Sequence, residues 1–177
     1  MQLTAHFTLA EFRDVSSATL DVTDIANARY FAEQILEPLR KAMGFPIKIT
    51  SFKRLGLTGT HPKGEAIDFQ PCRRCADGGE LASGEFDRRL EAMFAWLAQH
   101  KTSAFGKLIH ERNHLHATMP GAQGVTGQVL REPEEGVYQL ASVMGFAWQT
   151  MDGGKKFVIG ILLIGALFYF AAKARRR

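Results

Sequence analysis

The sequence predicts an α+β fold, a small antiparallel sheet with flanking helices, followed by a C-terminal transmembrane helix. Three observations carry this expectation. Apolar residues recur at spacings of three and four over 23–43 and 85–100, the signature of helices with one buried face. Short stretches at 47–51, 66–69, 105–109 and 115–118 have the apolar, alternating character of strands. The chain then closes on an uncharged run, 157–172, set between basic clusters.

At 177 residues the chain has room for one ordinary domain and an appendage. A composition 46% hydrophobic and 23% charged is that of a globular protein, not of a disordered one. The formal charge of +4 is matched by Lys173, Arg175, Arg176 and Arg177 alone. The remainder is close to neutral and offers no basic stripe, so nucleic acid is not an expected partner.

Residues 1–13 lack a basic region followed by an apolar core and a small-residue cleavage site, and no signal peptide is expected there. In the first helix Ile25, Ala28, Phe31, Ala32, Ile35, Leu36 and Leu39 form the apolar face. Asp21 or Thr23 is placed to cap it, and Gly44 to end it. The strand 47–51 follows, and the glycine-rich run after Leu55 reads as a loop that delivers His61. Cys72-Arg73-Arg74-Cys75 holds the only two cysteines. It reads as a local tie, disulfide or free thiols, with a substrate rim and a second metal as alternatives. Phe86, Leu90, Met93, Phe94 and Leu97 line the second helix. Strands 105–109 and 115–118 then pair across a tight turn at Arg112-Asn113, with His110 facing away from the site.

The chemistry gathers in two stretches. His61-Pro62-Lys63-Gly64-Glu65-Ala66-Ile67-Asp68 carries an imidazole on a loop and a carboxylate on a strand. Gly64 supplies a turn that a side chain would hinder. Glu111-Arg112-Asn113-His114-Leu115-His116 carries a carboxylate and then two histidines, which the period of two puts on one strand face. Two imidazoles and a carboxylate are a usual zinc set, and a further carboxylate can collect the proton of a metal-activated water. Glu111 is the candidate for that role, while His114 and His116 both remain open as the final histidine. His6 and His100 read as ordinary surface or core histidines.

These residues resemble a known family. His-x-x-Gly-x-Ala-x-Asp followed by a Glu and a His-x-His strand is similar to the zinc D-alanyl-D-alanine peptidases. That group takes in VanX- and VanY-type enzymes and phage endolysin peptidases, with the hedgehog signalling domain as a structural relative. Phe7-Thr8-Leu9-Ala10-Glu11-Phe12, Ile35-Leu36-Glu37-Pro38-Leu39-Arg40 and the strand ending in Ser51-x-x-Arg54 extend the likeness over about residues 5–120. The resemblance implies that His61, Asp68 and His116 bind one Zn2+ and that Glu111 is the general base. It further implies that Arg54 supports the oxyanion and that His114 contacts the transition state. The activity it implies is hydrolysis of peptide bonds in peptidoglycan stem peptides, as a D,D-carboxypeptidase or an endopeptidase. The alternative is a non-catalytic, zinc-stabilised module that binds cell wall.

The expected organisation is a peptidase domain over 1–120, a linker over 121–136, an amphipathic juxtamembrane helix over 137–152 and a transmembrane helix with basic tail over 155–177. The uncharged run spans about 24 Å at 1.5 Å per residue, and flanking lysines and arginines reach the rest of a roughly 30 Å hydrocarbon core. Four basic residues after the span and two before it predict a single-pass protein in the lipid bilayer with its C-terminus inside. The domain then lies on the peptidoglycan side or belongs to a virion membrane or lysis apparatus; a cytoplasmic domain is the other placement.

Overall fold

The computed structural model describes residues 1–56, 58–74, 80–134 and 137–140. The chain divides into two units, Met1–Ala141 and Ser142–Arg177, and all described residues belong to the first. The expected transmembrane helix and most of the expected juxtamembrane helix therefore lie outside the described residues. Among those described, no helix is long and apolar enough to cross a membrane.

The elements run α1 (Leu9–Asp14), α2 (Val22–Phe31), a π-helical turn (Ala32–Leu36), α3 (Glu37–Met43), β1 (Ile47–Ser51), β2 (Ala66–Pro71), α4 (Ser83–His100), β3 (Lys107–His110), β4 (Leu115–Thr118), β5 (Gln128–Glu134) and β6 (Val137–Leu140). Asp21 caps α2 by accepting from the Asp24 N–H, and Asp24 returns the bond to the Asp21 N–H. The π turn has a local cause. Pro38 has no N–H to donate and crowds the carbonyl four residues back, and the widened turn just before it, with Glu37 N–H reaching Ala32 O, accommodates it. Gly44, at φ 72°, closes α3 in the left-handed conformation.

The sheet is six-stranded, in the order β1-β2-β4-β3-β5-β6. Four pairings are antiparallel, but β3 and β5 run parallel, with Leu108 opposite Val129 and Ile109 opposite Leu130. The α+β class stands, and the expected all-antiparallel sheet is corrected to a mixed one. The expected linker 121–136 is corrected as well. It contains a 3-10 turn (Ala122–Gly124) and strand β5, whose Val129 and Leu130 are buried. Residues 137–140, expected to open a helix, form β6 on the outer edge of β5. Backbone groups left open along β3 explain both changes: β5 satisfies them, and β6 then satisfies β5.

Eight phenylalanines, Phe7, Phe12, Phe31, Phe52, Phe69, Phe86, Phe94 and Phe105, are fully buried. Each contributes about 1.5–3 kcal/mol through burial. Phe52 stands edge-on to Phe12 at 5.2 Å and to Phe31 at 6.2 Å. These contacts fix the backbone at the end of β1, from which the site is built. Helix α4 lies against β2 and β3, and on that side the Phe94 ring meets His110 at 5.2 Å. His110 therefore faces away from the site, as its alternation predicts, and burial holds its imidazole below the ordinary histidine range.

Candidate metal centre

Strands β2 and β4 build the centre by register. Asp68 lies directly opposite His116, so both side chains leave the same face, while Phe69 and Leu115 enter the core on the other. His61 arrives from the turn before β2. Gly64 allows that turn with φ +65°, and the His61 carbonyl accepts from the Gly64 N–H at 2.9 Å. The three side chains each offer one ligand atom, and these lie within 4.8 Å of one another. Asp68 Oδ1 is 2.8 Å from His116 Nδ1 and 3.1 Å from His61 Nε2.

The donor chemistry fits a cation. His61 Nδ1 is 2.5 Å from the Phe52 carbonyl oxygen, which only accepts, so Nδ1 carries the proton. In the neutral imidazole that leaves the Nε2 lone pair facing the Asp68 carboxylate, two acceptors with a positive charge needed between them. A backbone carbonyl on the far nitrogen is the usual way in which a ligating histidine is oriented. Zinc with bonds of about 2.0–2.1 Å sets tetrahedral ligand atoms about 3.3 Å apart, close to the separations around Asp68 Oδ1. His61, Asp68 and His116 could thus hold a metal ion.

Asp68 is 3% exposed. Burial pushes its carboxyl up, yet the His116 and His61 imidazoles set against it outweigh this and hold it well below the usual carboxylate range. Its outer oxygen, Oδ2, accepts from Arg54 Nη2, while Arg54 Nε donates to Ser51 Oγ at 2.7 Å. Arg54 thus orients a member of the centre directly, a contact the sequence did not disclose, and its half-exposed guanidinium remains at the edge of the site.

Glu111 and His114 form the second layer. Glu111 Oε2 is 2.9 Å from His114 Nε2, which is itself 3.8 Å from Asp68 Oδ1. The bond with His114 lowers the Glu111 carboxyl in spite of its burial. Burial works against charge on His114, but the bond with Glu111 wins and raises the imidazole. On the other side of the ring His114 Nδ1 donates to Asn113 Oδ1 at 2.7 Å. Both ring nitrogens face acceptors, the arrangement of an imidazolium. The geometry brings together all six expected site residues and separates the two candidate histidines: His116 joins the group that could hold a metal, and His114 joins Glu111.

Sequence reasoning missed Asn113, the Phe52 carbonyl and the contacts behind the His61 turn. Of these only Asn113 left a sequence signal, as an amide in a tight turn beside a candidate histidine. Cys72 is disulfide-bonded, which selects the first of the expected readings, and Cys75 is the one other cysteine of the sequence. Comparison of the chain with models of known families, with curated proteins and with solved structures finds no match.

Proposed function

We propose that the protein is a zinc-dependent peptidase that hydrolyses peptide bonds of peptidoglycan stem peptides and is held to a membrane by its C-terminal segment. The observation that carries this reading is the convergence of His61, Asp68 and His116 beside a Glu111–His114 pair. The wall substrate comes from the resemblance of the two motif stretches, and the anchor from the uncharged run at 157–172 with its basic flanks.

In this mechanism His61, Asp68 and His116 would hold the ion, which when bound would act as a Lewis acid and lower the pKa of a water molecule. The Phe52 carbonyl keeps the His61 proton on Nδ1, and Arg54 keeps Asp68 Oδ1 turned inward. Glu111, ionised at neutral pH, takes a proton from the attacking water and returns it to the leaving amine. His114, whose imidazole the bond with Glu111 raises, and Arg54 at the edge of the site stabilise the developing oxyanion.

One observation favours a second reading, a zinc-stabilised wall-binding module: the Glu111 carboxylate is already engaged by His114. Digestion of purified peptidoglycan by the full chain, with zinc and with a chelator, followed by mass analysis of the soluble products, decides between them. Zinc-dependent fragments with new peptide ends are expected. Retention on the wall with no fragment released would establish the binding module.

A further inference from the structure

We propose that Asp24, on the first turn of α2, is a positioning residue for the metal centre, fixing the turn that carries His61 against the segment that carries Arg54. This rests on the reading of His61, Asp68 and His116 as a metal site. Asp24 is 1% exposed, and its side-chain hydrogen bonds and ion pair go to Asp21 and Lys53, outside that group. Its carboxylate meets two segments instead. Oδ2 accepts from Lys53 Nζ at 2.5 Å, beside Arg54 in the chain. Oδ1 lies so close to Gly64 that a Cβ there would come within 2.3 Å of it. One helical turn on, Asn27 Nδ2 donates to the Gly64 carbonyl at 3.2 Å.

The two segments are also joined to each other. The His61 carbonyl accepts from Gly64 N–H at 2.9 Å and from Arg54 N–H at 3.4 Å. Lys53 is held on its other side, where its N–H donates to Ser16 Oγ and its carbonyl accepts from Ser17 N–H. The start of α2 is therefore the fixed body against which the turn 60–64 and the segment 53–54 are registered. Burying a carboxylate carries a desolvation cost that an apolar residue would avoid. Here the ion pair with Lys53 offsets that cost and brings geometric definition: it sets where His61 Nε2 lies relative to Asp68 Oδ1. Glycine at 64 is required twice over, by its positive φ and by the approach of Asp24.

The test measures the Zn2+ affinity of the full-length chain by competition with a chromophoric chelator, alongside the visible spectrum of the Co2+-loaded protein. Asp24→Asn retains an acceptor for the Asp21 N–H and removes the nearer of the two carboxylate charges facing Lys53, leaving Asp21 at 3.6 Å. It is expected to weaken zinc binding about tenfold, the low end for residues that orient ligands, and to shift the cobalt bands. Asn27→Ala, which removes only the bond to the Gly64 carbonyl, is expected to act in the same direction by about threefold and covers the case of an Asp24 variant that does not fold. Glu37→Gln, remote from the site, supplies the control: it lowers stability and leaves the affinity unchanged. Zinc binding by the wild-type chain with wild-type affinity and cobalt spectrum in the folded variants overturns the positioning role alone. No zinc binding by the wild-type chain overturns the metal-site reading and the positioning role with it.

Discussion

The sharpest division of labour at the scale of single residues is between His116, which faces Asp68, and Glu111, which faces His114. In the proposed mechanism Glu111→Gln removes the proton acceptor and leaves the three-residue group intact. It is expected to lower kcat for zinc-dependent cleavage by at least about 100-fold, the usual floor for a general base, while zinc stoichiometry stays at the wild-type value. An unchanged rate in a fragment-release assay would remove Glu111 from the mechanism. Glu37 allows a prediction of a different kind. Burial raises its carboxyl, but hydrogen bonds from Thr4, His6 and Lys41 prevail and bring it from 4.5 to about 2. Because the folded value is the lower one, its stabilisation is fully present above about pH 4.5 and is lost as pH falls toward 2. Urea midpoints from pH 6 to 2, measured with chelator present, should therefore fall more steeply for the wild type than for Glu37→Gln. The six site residues were legible because each is a chemically distinctive side chain near a turn or a strand end. The Phe52 carbonyl was not, since a backbone acceptor leaves no trace in residue type. Asp24 was hidden because a carboxylate there is equally explained by the reciprocal cap it forms with Asp21.

Among the elements, the hairpin of β3 and β4 carries three of the six site residues and leans on one glycine. Gly106 donates to the Thr118 carbonyl and accepts from the Gln128 N–H, each at 2.9 Å, locking the start of β3 between β4 and β5. A Cβ there would stand 2.5 Å from the Met119 oxygen, 2.7 Å from Thr118 Oγ1 and 2.9 Å from the Val125 oxygen. Two of those three are backbone atoms that cannot swing aside. Gly106→Ala is expected to cost about 1–3 kcal/mol, the range for overpacking, measurable as a lower midpoint in urea at unchanged slope. Helices α2 to α4 and strands β1, β2, β3 and β4 were readable from periodicity, whereas the six-residue α1 is too short to show one. Strand β5 was not. It offers two adjacent apolar residues, no alternation and an internal proline, Pro133, features that locally describe a loop. Its strand character comes from β3, a partner some twenty residues earlier, and a parallel pairing has no local turn signature to announce it.

At the scale of the whole molecule, the compact unit closes at Ala141, beyond the motif region that ends near Thr118. A chain cut after residue 120 keeps every site residue but strips β5 from β3 and bares the edge of a buried strand. It is expected to aggregate or to lose its cooperative urea transition, whereas 1–141 should unfold in one step; size-exclusion chromatography with urea titration checks both. The class of fold was legible because helix and strand periods are local, while the extent of the sheet depended on pairings between distant segments. The juxtaposition of Asp68 with His116 has one more consequence, for how the chain finds its fold. The two residues are 48 positions apart, and they meet only if β2 and β4 pair in the observed alignment. A slip of one residue would turn Asp68 toward the core and bring Ile67 to His116. Only the observed register brings Asp68 against His116, so the alignment of β2 on β4 decides whether the three-residue group exists at all.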